Sequence, residues 1–304
     1  MSSLLIVRRT AQELFPGHSP AQVTLRAKML LAAARRRSSL RPLLNAAPGS
    51  CAHILIAERP EMLGALLWPY QNATWPAAKR FDRILAHCRE IDRLGPPFPF
   101  STGERLVLAD LGAHHPGCRL VLDQPKWFMR EGGLTLNLFV DSFRAYSLAF
   151  SLFRNGAGEL CAYIGALQGR NTDNALDLYR DLTRALFGIR PRDFLIETLR
   201  MLARRFGIAE LHAVSDAARH HRHPFFGAKT IAPQDYDTVW LERGGTQVSD
   251  DTFALPVSSG RRPLDEIKAK KRSLYRQRYG FLDALEEEIA HTLPSVRPVR
   301  FPDS

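Results

Sequence analysis

No run in the chain approaches the ~20 apolar residues of a membrane-spanning helix, so an integral helical membrane protein is not expected. Only four cysteines occur, Cys51, Cys88, Cys118 and Cys161, and none forms a C-x-x-C pair. That spacing excludes a disulfide scaffold and a thiolate zinc knuckle, and predicts buried free thiols in reducing surroundings. There is no Walker loop and no dinucleotide-binding glycine fingerprint, and Ser147, Ser151 and Ser215 lack the G-x-S-x-G turn that exposes a nucleophile. The first residues, MSSLLIVRRTAQELFPG, put a short apolar run ahead of Arg8 and Arg9. This order is the reverse of a secretory signal and the run is too short for one, so a cytoplasmic setting is expected, with attachment to the inner membrane at most peripheral.

What is present suits a folded protein. The 304 residues are 45% hydrophobic and 24% charged, enough for a substantial core in one large domain or two closely packed ones. Lys plus Arg total 42 against 31 Asp plus Glu, a formal charge of +11 that favours anionic partners. Nucleic acid, acidic lipid headgroups, lipopolysaccharide phosphates and phosphate-bearing cofactors such as coenzyme A all fit, and charge alone does not choose among them.

Residues 1–100 read as helical. Ser19 is placed to N-cap a helix that has Pro20 at its first position. A second helix begins near Thr74 and Pro76, with Phe81, Ile84, Leu85, Cys88 and Ile91 on one face. GPPFPF (95–100) cannot continue it, because proline lacks the amide donor, and a boundary is expected there. From Glu104 the period changes to that of strands: RLVLADLG, CRLVLDQP, GLTLNLFV, RAYSLAFSLF and ELCAYIGALQG, the last three an antiparallel meander turning at Asn155–Gly158. Helices over 172–187 and 191–206 follow, with Gly188 and Gly207 as C-caps. LHAVSD reads as a strand, HHRHPFFG as a break, and YDTVWLER as a further strand closed by Gly244 and Gly245.

The predicted fold class is α+β: a mixed, largely antiparallel sheet flanked by helices, divided into a helical region (1–100), a mixed core (101–263) and a basic C-terminal helix packed on the core (264–304). That helix runs from basic to acidic, against the helix dipole, so packing or ion pairs with the body must hold it.

REGGLTLNLF, YSLAFSL, YIGALQG, LTRALFGIRPRDFL, AVSD, YDTVWLERGG and EIKAKKRSLYRQRY together resemble the VirK/YbjX family of Gram-negative bacteria. They cover about half the chain, in the expected order. The resemblance implies a link to virulence, envelope maintenance and resistance to antimicrobial peptides, with no agreed chemistry. The order of meander, helix, strand, short helix and two final strands is also similar to GCN5-related N-acyltransferases. In that fold the strand before the main helix splays from its neighbour, and helix N-terminal amides hold the pyrophosphate of acyl-coenzyme A. The corresponding turn here holds Arg190 and Arg192, with Gln168 ending the strand before it, but it lacks the family's glycine-rich signature and Pro191 contributes no amide.

Acyl transfer needs a proton acceptor and a proton donor. By chain order the candidates are Asp216, His223, Tyr236 and Glu242, although Tyr236 and Trp240 read equally as core aromatics. His212, Asp216, His220, His221 and His223 are the densest set of metal-type ligands, but their spacing matches no metal signature. A solvated loop with Ser215 or Asp216 capping the next short helix is expected, and no metal. Asn137, flanked by apolar residues, is expected to be buried and hydrogen-bonded. Lys268, Lys270, Lys271, Arg272, Arg276 and Arg278 form a basic surface that could meet phosphates or an acidic membrane instead.

Overall fold

Ser19 accepts the Gln22 amide proton and Pro20 opens the helix behind it, the cap and first position that the sequence specifies. A computed structural model describes residues 3–227 and 235–300. The helical region comprises α1 (Ser3–Leu14), α2 (Pro20–Arg35), α3 (Arg37–Leu44), α4 (Cys51–Glu58) and α5 (Ala77–Leu94). On α5 the predicted stripe is the buried one: Phe81, Ile84, Leu85, Cys88 and Ile91 all enter the core. Each such large apolar side chain contributes roughly 1.5–3 kcal/mol on burial.

The strands are β1 (Glu104–Asp110), β2 (Cys118–Asp123), β3 (Leu134–Val140), β4 (Phe143–Arg154) and β5 (Leu160–Gly169). They pair antiparallel in sequence order. After β5 come α6 (Ala175–Ala185), α7 (Pro191–Phe206) and β6 (Glu210–Val214), which returns beside β5 in parallel. The chain then forms α8 (Tyr236–Glu242), β7 (Thr246–Ser249), β8 (Thr252–Leu255), α9 (Ala269–Thr292) and β9 (Val299–Arg300). The nine strands form one mixed, mostly antiparallel sheet in the order β7-β8-β6-β5-β4-β3-β2-β1-β9. This is the α+β class expected. Both alternating sets of β3, Leu134, Leu136 and Leu138 as well as Thr135, Asn137 and Phe139, are buried, so both faces of the central sheet are covered. Helix α5 packs on β4, and α7 packs on β3, β4 and β5.

YDTVWLER is not a strand. Asp235 caps a helix there by accepting the Thr238 amide proton at 2.9 Å, and the buried Tyr236, Val239 and Trp240 fall at i, i+3 and i+4. Aromatic and β-branched residues made a helical period look like a β-run. The strands that follow this helix are the hairpin β7–β8, with β7 exposed and Phe253 and Leu255 of β8 buried. The acidic end of α9 is held as required: Arg204 grips Glu286 with bonds of 2.7 and 2.8 Å, while Phe281, Leu285 and Ile289 are buried. Among the described residues no helix is long and apolar enough to cross a membrane.

Candidate functional site

The parallel ladder between β5 and β6 runs only from Cys161↔Glu210 to Ile164↔Ala213, whereas β5 stays paired with β4 as far as Gly169. Beyond Ile164, therefore, one edge of β5 has lost its strand partner. A strand edge must find other hydrogen-bond partners when buried. Here the Leu167 amide donates to the Tyr236 hydroxyl at 2.9 Å, and the Trp240 indole donates to the Val214 carbonyl at 2.8 Å. Tyr236 and Trp240 are thus core aromatics, with Tyr236 also filling the parting between the strands.

A polar cluster assembles at the same end of β5. The Glu131 side chain is 4% exposed; the Gln168 amide donates to one of its oxygens at 3.3 Å and the His220 Nδ1 lies 3.1 Å from the other. His221 Nδ1 lies 3.2 Å from His220 Nε2, and an Arg219 N–H donates to His221 Nε2 at 2.8 Å. Because arginine can only donate, a neutral His221 carries its proton on Nδ1, which lies 3.1 Å from His220 Nδ1 and 3.2 Å from its Nε2. Arg219, His221 and His220 thus line up toward one buried carboxylate, Glu131. Burial, with the Arg219 and Arg222 charges nearby, pushes His221 down to about 3 and keeps it neutral.

Ligand-type atoms of Glu131, His220 and His221 lie within 4.8 Å of one another. The Arg219 contact argues against a cation among them, since a metal-bound imidazole donates outward from its other nitrogen whereas His221 accepts there.

The loop that carries the histidines is not simply solvated. It forms three successive 3-10 turns in which Ala218 and Arg219 are buried. Ser215 occupies the N-cap position, but its hydroxyl donates to the Asp250 carbonyl at 3.0 Å and caps nothing. Asp216 binds Arg219 at 3.3 Å and also pairs with Arg222. The Arg219 guanidinium sits 4.5 Å from the Tyr236 ring centre. Gln168, Asp216 and Tyr236 are therefore drawn into one neighbourhood. His223 stands aside, accepting the Phe225 amide proton at 3.1 Å and facing the Arg80 guanidinium; burial and that charge hold it below its ordinary pKa. Glu242 lies elsewhere, 2.7 Å from Arg192.

Sequence reasoning missed Glu131. Its signal was the following Gly132–Gly133 pair: a Cβ at Gly132 would lie 2.5 Å from the Phe150 amide nitrogen, so REGG is pressed against β4 where only glycine fits. Opposite it, Gln71 donates to the Tyr163 carbonyl at 3.0 Å. Two buried polar atoms beside Glu131, Gln71 Oε1 and Arg130 Nε, have no hydrogen-bond partner.

At the N-terminus of α7, Arg192 is engaged by Asp193 and Glu242, and Arg190 remains exposed. Arg190 borders a groove of about 900 Å³ along α7 and α9 that Arg200, Arg204, Arg261, Arg262 and Arg278 also line. Of the basic set on the C-terminal helix, Arg272 and Arg278 donate to backbone carbonyls, whereas Lys268, Lys270, Lys271 and Arg276 are exposed.

A family model described as "Protein of unknown function (DUF535)" matches residues 19–291. An uncharacterized protein of Haemophilus influenzae is 32% identical over 212 residues, 62% of this chain and 72% of the relative. Uncharacterized protein YbjX of Escherichia coli is 30% identical over 155 residues, so the match spans 47% of that relative and 46% of this chain.

Proposed function

Because the chain belongs to the DUF535 family, that of VirK and YbjX, and carries a proton-handling cluster where two parallel strands part, we propose that it is an acyl-coenzyme A-dependent transferase. Its acceptor is an amine or hydroxyl on an envelope-related substrate, and it works in the cytoplasm, peripheral to the inner membrane. The observation that carries this reading is the early end of the β5–β6 ladder, with Tyr236 on Leu167 and Glu131 on Gln168, the next residue along β5.

Acyl transfer to an amine releases one proton from the acceptor and returns one to the leaving thiolate. Glu131, buried and supplied only with donors, is the proton acceptor. Tyr236 receives the Leu167 amide proton and so keeps its own O–H for donation. Asp216 positions Arg219 and Arg222. The element order, from meander through α7 and β6 to α8 and the β7–β8 hairpin, fits the acyltransferase-like arrangement. Bound coenzyme would supply the activated thioester, and Arg190 with the arginines of the α7 groove would meet its phosphates.

The test is to incubate the full chain with short- and long-chain acyl-coenzyme A and an amine acceptor, reading thiol release and melting temperature. Glu131→Gln should keep the ligand-induced stabilisation and lose turnover, and Arg190→Ala should lose affinity. Absence of both stabilisation and thiol release at millimolar ligand rejects the proposal.

The exposed Lys268, Lys270, Lys271 and Arg276 favour a second reading, a non-catalytic module that binds an anionic lipid surface. Co-sedimentation with liposomes that depends on acidic lipid and survives Glu131→Gln would support it.

A further inference from the structure

At the opposite end of the β5–β6 ladder from the parting, a cysteine, a histidine and a carboxylate converge. Cys161 and Glu210 form the first rung, and His212 follows Glu210 by two residues on the same face of β6. Glu210 Oε2 lies 2.8 Å from His212 Nε2 and 3.8 Å from Cys161 Sγ, and all three ligand-type atoms fall within 4.8 Å of one another. A tetrahedral zinc site, with bonds of roughly 2.0–2.3 Å to nitrogen, oxygen and sulfur, has edges of about 3.3–3.5 Å. The two measured separations, 2.8 and 3.8 Å, fall on either side of that value, so side-chain shifts of a few tenths of an ångström would bring the oxygen to tetrahedral spacing from the nitrogen and the sulfur.

The carboxylate is already aimed. Asn155 Nδ2 donates to Glu210 Oε1 at 3.2 Å, leaving Oε2 to face both the thiol and the imidazole. Asn155 is fixed in turn, accepting the Ala157 and Glu159 amide protons at 3.0 and 2.9 Å. A second layer that holds one oxygen and frees the other is what metal carboxylates need. Unlike the Glu131–His220–His221 cluster, this one has no arginine donating to its imidazole nitrogen.

We propose that Cys161, Glu210 and His212 bind a borderline divalent cation, of which zinc is the prototype, leaving a fourth position for water. Binding displaces the Cys161 proton and forms a sulfur–metal bond without change of oxidation state. The cation ties β5 to β6 at the end where they are paired, so the parting is confined to the other end. The sequence reading expected no metal because the histidine spacing matches no metal signature; the present ligands come from two strands, with 48 residues between the cysteine and the glutamate. Only the parallel pairing of β5 with β6 joins them.

The test titrates the reduced full chain with Co²⁺ and then Zn²⁺. One equivalent of Co²⁺ should give a thiolate charge-transfer band and four-coordinate visible bands, both displaced by Zn²⁺. Cys161→Ser should abolish the charge-transfer band, and His212→Gln should weaken binding about tenfold or more, with Asn155→Ala losing roughly 10–100-fold. Cys118→Ser and His220→Gln should bind as the unaltered chain does. If Cys161→Ser fails to fold, the partly exposed His212 decides through His212→Gln. No charge-transfer band in the unaltered protein, or loss of binding in His220→Gln with retention in His212→Gln, overturns the proposal.

Discussion

The Tyr236 hydroxyl accepts the amide proton of Leu167 at 2.9 Å, taking the place of the strand partner that β5 loses when β6 diverges. Removing the oxygen strands a buried N–H. Tyr236→Phe should therefore cost about 1–3 kcal/mol, measured by urea unfolding. On the acyl-transfer reading it should also slow thiol release at unchanged affinity for the acyl-coenzyme A. An unchanged stability would mean that the bond contributes nothing.

Gly165 lies where β5 passes under the REGG segment, and a Cβ there would come 2.0 Å from the Glu131 carbonyl oxygen. Gly165→Ala should destabilise the fold by about 1–3 kcal/mol through overpacking, and should displace Glu131 from Gln168 and His220. Calorimetry would register the first effect, and turnover the second.

Acid should weaken the fold through its buried histidines. Burial pushes His87 down to about 4, and it pushes His221 down to about 3 with help from neighbouring cations. Both values lie below the ordinary histidine pKa, so the unfolded chain binds more protons through this range. Stability is complete above about pH 6.5 and falls as pH drops toward 4 and then 3. His87 alone accounts for about 3 kcal/mol of that loss. His87→Gln, which retains an acceptor for the Leu152 amide, should flatten the fall in unfolding free energy between pH 6.5 and 4.

Asp123 is buried and bound by Arg144 at 2.7 and 3.2 Å, by Asn137 at 2.8 Å and by Arg105 at 3.4 Å. Arg144→Ala leaves that carboxylate short of charge compensation and should cost roughly 3–5 kcal/mol by equilibrium unfolding. Replacing the set with apolar residues together should cost much less, because the desolvation penalty disappears with the charges.

The regular elements were legible because their signals are local. Ser19 and Pro20 announce α2, the stripe from Phe81 to Ile91 announces α5, and the alternation of β3 is visible in Leu134 to Val140. Asn137 is buried and hydrogen-bonded, as its apolar neighbours suggested. Helix α8 failed because seven residues rich in aromatic and β-branched side chains fit two periods, and Asp235 as a cap was the deciding cue. The site was legible only in part. Gln168, Asp216 and Tyr236 were named, yet Glu131 and Gln71 reach it from loops 37 residues before Gln168 and 92 residues before Tyr163, through tertiary contacts that no local pattern encodes. The same applies to Glu242, whose partner Arg192 lies 50 residues away.

An open nine-stranded sheet has two outer strands against which a stray chain could add. At one border β7 has four residues, all exposed, and runs directly into Asp250 and Asp251. At the other, the two residues of β9 lie over Glu104 and Arg105 at the start of β1. Short, charged borders discourage intermolecular strand addition. β9 thus works as a stopper on β1, and a chain cut before Val299 should be more prone to self-association through that border than the intact one.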